Sequence, residues 1–584
     1  MRRPNAAELL GAAVVAVVLL PVLISPGSRV IGTRYVDGFG TQWWFWYVGE
    51  VVAGRESLAH TDLLFFPAGK DVFTHTGANL LDALLALPLR TVFGPNAGYN
   101  VWVGLVAGTN YAAGCLLGRR CTGLAGWPSG LLLAVNPYVL QELAGGRPTQ
   151  AWLALPALGI AGVWTVETPA GALLTGLVIA ATGYLYWYAG LVVGVLALAL
   201  GVLRIALRPG RPRSGLWLAV AAAVAILLVL PAVTAMRDAI SGGSVPGLLR
   251  VDGTGALAPL ALQTTEGDAA GMQVLAPLRG IVGSLLDEGG LRFIPAEPSL
   301  AFAGVGGSLV SLYLGVRERR WALVAAALTA ATLSLAIACG PVVVYGDHFV
   351  VNRPWVFAAS RLDLLRRWWW PGRAIIGVYL AMGMMLPLVV QRRWLAGAFA
   401  LSVGVEVWRT GHLPVQTWDA REPAPLACLA AAPAGAVIDL PFLSDQRNLW
   451  FQTLHHHPIL GGMLVKKPAF GSASVLALRA ANPFLDQLLD YGDLNLGRVP
   501  ISDEEGRKQL IDLGFRYVLV DGSRMEGAAA GRIPGGRFSS SLWPRLARLL
   551  GPVLGKPIAD ADGVALYTLD GSAVACPPSE GPMR

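Results

Sequence analysis

Residues 79–90 read Asn79-Leu80-Leu81-Asp82-Ala83-Leu84-Leu85-Ala86-Leu87-Pro88-Leu89-Arg90, and the orientation of every later segment turns on whether this run crosses a membrane or lies along its surface. If it lies in the interface, the short loops place Arg119, Arg120, Arg204, Arg208, Arg211, Arg213, Arg317, Arg319, Arg320, Arg392 and Arg393 on the cytoplasmic side. Arg147, Arg353, Arg361, Arg366, Arg367 and Arg373 then fall outside. If it spans, the count reverses. Short cytoplasmic loops collect Lys and Arg, so the charge favours an interfacial helix over residues 79–94.

Working outward, the chain is 54% hydrophobic and only 14% charged. Apolar runs of about 17 to 25 residues recur from Ala6 to Val407, which no water-soluble fold requires. A polytopic α-helical membrane protein is expected, with about eleven spans near 6–24, 97–118, 123–143, 150–166, 170–188, 189–207, 215–235, 299–316, 321–345, 372–390 and 394–410. The net charge of +8 is carried by short basic clusters between apolar runs, as in membrane loops rather than a nucleic-acid surface. Met1-Arg2-Arg3 precedes the first run, and no clear small-x-small cleavage site follows. A retained first helix is therefore expected.

This topology leaves the N-terminus cytoplasmic and three pieces outside: loop 25–96, loop 236–298 and the tail from about Gly411. Two domains are expected, a transmembrane domain over 1–410 that includes both loops, and an extracytoplasmic α/β domain over 411–584. In the tail, 435–441 and 515–521 carry the pattern of short buried strands, and 504–513 that of a helix. About 170 residues is enough for a separate core. Cys115, Cys121 and Cys339 fall within or beside spans, whereas Cys428 and Cys576 share the outer domain, where the compartment permits a disulfide.

Several short motifs stand in this frame: Asp37-Gly38, Trp43-Trp44, Phe66-Pro67-Ala68-Gly69, Tyr99-Asn100, Asn136-Pro137-Tyr138 and Gly146-Arg147 with Gln150. Further along come the basic run from Arg361 to Arg373, then Val437-Ile438-Asp439-Leu440-Pro441, Gln452-Thr453-Leu454-His455 and Gly461-Gly462. Together they resemble bacterial membrane proteins related to the GT-C glycosyltransferase superfamily, which use polyprenyl-phosphate sugars. The resemblance covers most of the chain, although each motif is short and degenerate. It implies a multi-pass inner-membrane protein of a bacterium that moves a sugar from a polyprenyl-phosphate donor to an extracytoplasmic lipid, glycan or protein. The superfamily also places two interfacial helices in the first outer loop. Some of its members use a divalent cation, Mg or Mn, and others none.

Asp37 is the candidate general base. Sugar transfer with inversion needs a carboxylate near the acceptor hydroxyl to take its proton, and Asp37 lies just past the first span, at the level of a lipid phosphate. Asp37-Gly38 also suits a plain loop turn. Asp62, Asp71 and Glu142 are candidates for a second acid, and Glu142 is the best placed, just ahead of Gly145-Gly146-Arg147. Glu142 equally suits a solvated helix end.

For substrate binding, Arg147 can meet a phosphate bidentately and Gln150 can fix a sugar hydroxyl. Related sequences often carry histidine at the position of Arg147, and an arginine there can also snorkel to headgroups. Arg366, Arg367 and Arg373, beside Trp368-Trp369-Trp370, combine guanidinium groups with interfacial aromatics before a span. They can hold a lipid phosphate as it leaves, or simply anchor the chain among anionic headgroups. His75 shares the loop of Asp37 and can contact sugar or phosphate. His455-His456-His457 is not expected to bind a metal, because consecutive side chains on a strand face opposite ways. The alternative to a transferase is a transport or noncatalytic assembly protein of the cell envelope. Transport sites put ionisable groups near the bilayer midplane, whereas here the conspicuous polar groups gather at one face.

Overall fold

The computed structural model describes residues 6–23, 25–32, 37–72, 79–207, 212–241, 302–338, 342–345, 348–361, 371–410, 415–442, 447–462, 473–492, 503–522, 548, 550–572, 574 and 576. The chain forms two compact units, Met1–Thr33 with Thr76–Trp418, and Arg34–His75 with Asp419–Arg584. The stretch Arg34–His75 belongs to the same unit as the chain that follows Trp418.

The first unit is almost wholly helical. Among the described residues, five helices are long and apolar enough to cross a membrane: Pro95–Thr122, Trp187–Leu207, Arg213–Asp238, Trp321–Ala338 and Gly372–Gln391. At about 1.5 Å per residue, 20 residues match the hydrocarbon thickness of about 30 Å. Leu198 and Leu227 are exposed on such helices, an arrangement that lipid tolerates and water does not. Shorter apolar helices run over Leu9–Val22 and Pro169–Leu185.

Three expected spans take other forms, and the run 150–166 is interrupted at Trp152, between Pro148–Ala151 and Ala154–Thr165. The run 123–143 is broken into Trp127–Val135 and Pro137–Ala144. Proline lacks the N–H that would continue the helix and disfavours helical backbone in the residue before it. Asn136 is accordingly extended, and its side-chain oxygen caps the next helix by accepting from the Val139 N–H. In the run 321–345, Trp321–Ala338 is helical, and Val342–Tyr345 pairs as an antiparallel strand with His348–Val351. Three valines in a row favour the pleated form.

Close backbone approach joins Pro95–Thr122 to Trp127–Val135. A Cβ on Gly126 would lie 1.9 Å from the Cys115 carbonyl oxygen, and one on Gly114 would lie 2.6 Å from that of Ser129. Small residues at such crossings let helices pack where no hydrophobic force separates protein from lipid. At the start of the same helix, Asn100 donates to the carbonyls of Pro26 and Arg29 and accepts from the Ile31 N–H. The Tyr99-Asn100 motif therefore ties down the chain leaving the first helix.

The second unit is built on a sheet of β1 (Ala436–Leu440), β2 (Phe515–Asp521), β3 (Ala559–Ala561) and β4 (Val564–Thr568), in the spatial order β1-β2-β4-β3. β1 runs parallel to β2, and the other pairs are antiparallel. The central strands are buried along nearly their whole length, which explains their continuous apolar sequences. Cys428 is bonded to Cys576. The aromatic helix Gly38–Val52 contributes Phe39, Trp43, Trp44, Phe45 and Tyr47 to the interior. Phe39 stacks on Trp450, and Trp46 meets His456 at a tilt of 47°.

Candidate functional site

The clearest concentration of buried charge surrounds the break between the helices Pro137–Ala144 and Pro148–Ala151. Gly146 takes a positive φ of 72°, a conformation that a side chain resists. This turn lets the Arg147 N–H bond back to the Glu142 carbonyl at 2.8 Å. The side chain folds back as well. Arg147 Nε donates to Glu142 Oε2, and the guanidinium lies where a Cβ on Gly145 would come within 2.9 Å of its central carbon. Gly145 thus supplies room and Gly146 supplies the turn.

Arg373 approaches the same carboxylate from another segment. Its Nε is 3.9 Å from Glu142 Oε1, and its Nη1 donates to the Tyr186 hydroxyl at 2.5 Å. The guanidinium also lies 5.7 Å from the Tyr186 ring centre, a cation–π contact. Tyr186 owes its position to extended backbone between Pro169–Leu185 and Trp187–Leu207. Glu142 and Arg147 are buried, and Arg373 is nearly so. Two guanidinium groups and one carboxylate bring this trio to a formal charge of +1, in surroundings where charge interactions are strong.

A second acid, Asp82, lies beneath the turn. It is fully buried in the first turn of the amphipathic helix Leu81–Phe93. The Thr149 hydroxyl donates to its Oδ2, and the Ala83 N–H donates to Oδ1 at 2.9 Å. Burial pushes its carboxyl up to about 7, against the lowering effect of these hydrogen bonds. Gln150 turns its carbonyl oxygen Oε1 into the interior with no hydrogen-bond partner among the described residues. Its backbone carbonyl accepts from the Tyr138 hydroxyl at 3.3 Å. Asn110 secures the end of the turn, donating to the Ala151 carbonyl and accepting from the Leu153 N–H.

The sequence candidates therefore separate. Glu142, Arg147 and Arg373 meet, with Gln150 three residues along from Arg147. Asp37 belongs to the other unit. There it precedes the Gly38–Val52 helix, half-buried, and its backbone carbonyl accepts from both the N–H and the hydroxyl of Thr41. It is thus a helix-entry residue rather than the corner of an open loop. His75, Arg366 and Arg367 lie outside the described residues. Asp82, Thr149 and Tyr186 carry no role in the sequence reading, and only an acid inside an otherwise apolar run distinguishes the first of them.

The tail motifs prove to be packing devices of the second unit. Gln452 accepts from the Trp43 indole N–H and donates to the carbonyls of Leu63 and His457. A Cβ on Gly462 would lie 2.6 Å from the Phe65 ring, and one on Gly461 would lie 2.6 Å from Asp439 Oδ2. Both ring nitrogens of His457 lie 2.8 Å from carbonyl oxygens, those of Gly435 and Leu429. His455 Nδ1 accepts the His457 N–H, and burial holds this histidine well below its ordinary range. Among the described residues no three His, Cys, Asp or Glu side chains gather as metal ligands do.

No family model matches the sequence, and no curated protein matches it. In three dimensions the chain is similar to arabinofuranosyltransferase AftD from Mycobacteria, with a TM-score of 0.55 and 12% identity over 97% of this chain and 42% of that one. The chain thus spans less than half of AftD. It is also similar to the archaeal oligosaccharyltransferase AglB from Archaeoglobus fulgidus, with a TM-score of 0.49 and 12% identity over 88% of this chain and 69% of that one. For ArnT from Cupriavidus metallidurans the values are 0.40, 13%, 97% and 98%. These are GT-C superfamily glycosyltransferases. The likeness to AftD is one of fold: the chain shares the fold of that protein.

Proposed function

We propose that this protein is a membrane glycosyltransferase that transfers a sugar from a polyprenyl-phosphate donor to an extracytoplasmic acceptor, with Asp37 as general base. The observation that carries the reading is the meeting of Arg147 and Arg373 at Glu142, beside an amphipathic helix and within a GT-C fold. A pair of guanidinium groups with a single carboxylate between them suits a phosphate at the membrane surface.

In the reaction, the acceptor oxygen attacks the anomeric carbon as the bond from that carbon to the phosphate oxygen breaks. The electron pair of the broken bond stays with the polyprenyl phosphate, and Asp37 receives the acceptor's proton. Arg147 and Arg373 stabilise the charge that develops on the departing phosphate. Glu142 serves as their common anchor rather than as a second base, because both of its oxygens face guanidinium groups. Gln150 Oε1 is available to accept from a sugar hydroxyl. The site lies in the plasma membrane of a bacterium, with the tail outside the cytoplasm.

The test uses the whole protein in lipid nanodiscs, a panel of polyprenyl-phosphate sugars and a cell-envelope extract, with release of polyprenyl phosphate followed by mass spectrometry. Release by the wild type that falls at least about 100-fold in Asp37→Asn supports the transferase and its base. If no donor yields release from well-folded protein, the transport or assembly reading takes its place.

A further inference from the structure

The start of the helix Leu81–Phe93 is bonded to two segments that hold the arginines in place. On one side, Asp82 accepts from Thr149, two residues beyond Arg147. On the other, the Leu80 N–H donates to the Tyr184 carbonyl at 3.0 Å, two residues before the tyrosine that receives Arg373. The segment that carries Arg147 and the segment that carries the tyrosine receiving Arg373 are therefore fastened to one point. We infer that Asp82 is a positioning residue of the site, and that the first turn of Leu81–Phe93 is a bracket setting the spacing of Arg147 and Arg373. This rests on the phosphate role proposed above and deepens it.

The energetics favour such a role over simple packing. Burying a carboxyl group is expensive, and an apolar side chain would seat the helix at less cost. A hydrogen-bonded acid specifies one register where an apolar contact permits several. The helix exposes Leu84, Leu85, Val92 and Phe93, apolar side chains suited to lipid. Asp82, Ala83 and Ala86 face inward, so the helix joins the lipid-facing surface to the arginine mounts.

The test compares wild type, Asp82→Ala, Asp82→Asn and Thr149→Val as full-length protein in nanodiscs. Hydrogen exchange is read at residues 145–151 and 184–188, and farnesyl phosphate is the binding probe, with Arg147→Ala as reference. Asp82→Ala is expected to speed exchange at both segments about 10-fold and to weaken farnesyl phosphate about 10-fold. Thr149→Val, which alters only the partner hydroxyl, is expected to do the same at 145–151 and carries the test if Asp82→Ala does not fold. Asparagine keeps an oxygen for the Ala83 N–H and an amide for the Thr149 hydroxyl, so Asp82→Asn should stay within about twofold of wild type. Unchanged exchange in Thr149→Val, or Asp82→Asn as impaired as Asp82→Ala, overturns the bracket. If wild type and Arg147→Ala both fail to bind farnesyl phosphate while the exchange pattern holds, the phosphate reading falls and the bracket stands.

Discussion

Trp43 donates its indole N–H to Oε1 of Gln452 over 2.7 Å, across 409 positions of sequence. The same glutamine donates to the Leu63 carbonyl at 2.6 Å and to the His457 carbonyl at 2.9 Å. One buried side chain thus joins the first loop to the tail within a single compact unit. Gln452→Ala would leave the Trp43 indole N–H and the His457 carbonyl without this partner, while the Leu63 carbonyl keeps the Ile459 N–H, at a cost of about 3 kcal/mol. Trp43→Phe removes one bond and should cost roughly half as much. Calorimetry of the full-length protein should show the alanine variant melting lowest. Equal melting of all three proteins would mean that the glutamine is incidental.

Glu142 lies against two guanidinium groups, with Arg147 the nearer. Removing the acid from a buried pair leaves charge without compensation, so Glu142→Gln should destabilise the membrane unit by about 3 kcal/mol. Arg147→Lys keeps the charge but not the fork of donors, and should bind polyprenyl phosphate about 10-fold more weakly than wild type. Titration of nanodisc-embedded protein checks the affinity, and denaturant-induced unfolding checks the stability. A Glu142→Gln protein as stable as wild type would show that the arginines do not depend on it.

Asp82 links stability to pH. Its folded carboxyl is held up at about 7 by burial, while the unfolded chain returns it to near 4. Between those values the folded protein holds a proton that the unfolded chain has released. The stabilisation is therefore complete below the unfolded value and is lost as pH rises through about 7. The melting temperature should fall by roughly 3 °C between pH 5 and 8 on this account, and Asp82→Asn should flatten that part of the profile. A wild-type slope that survives in the variant assigns the effect to another group.

Cys428 and Cys576 are bonded across a separation of 148 residues. Closing so long a loop restricts the unfolded chain, and the bond should contribute about 3 to 5 kcal/mol. Cys428→Ser with Cys576→Ser is expected to lower the stability of the second unit while leaving the helices of the first intact. Alkylation followed by mass spectrometry should label both thiols only after reduction. Labelling without a reductant would place the bond outside the protein's working state.

Much of the fold is legible in the chain because its causes are local. Apolar runs long enough for a bilayer announce Pro95–Thr122 and Trp187–Leu207, and continuous β-branched and aromatic runs announce β1 and β2. The charge of the short loops selects a surface helix for 79–94, and Leu81–Phe93 does form there. Arg147, Arg373 and Glu142 could be singled out because charge is rare in such sequence and conspicuous beside a span. The broken run at Asn136 and the strand Val342–Tyr345 were legible in principle, from Pro137 and from the valines, but apolarity over a long window outweighs both signals.

What the sequence by itself determined is a set of charged residues beside apolar runs, Glu142, Arg147 and Arg373 among them, and the amphipathic helix within 79–94. Tertiary structure alone decided which of these groups meet. Thr149 reaches Asp82 across 67 positions and Arg373 reaches Tyr186 across 187, separations at which periodicity and propensity carry no information. Those pairings depend on where helices cross and turns bend. Gly145, Gly146 and the extended backbone at Tyr186 set those bends, and side chains far apart in the chain come within hydrogen-bond reach only once the helices have packed.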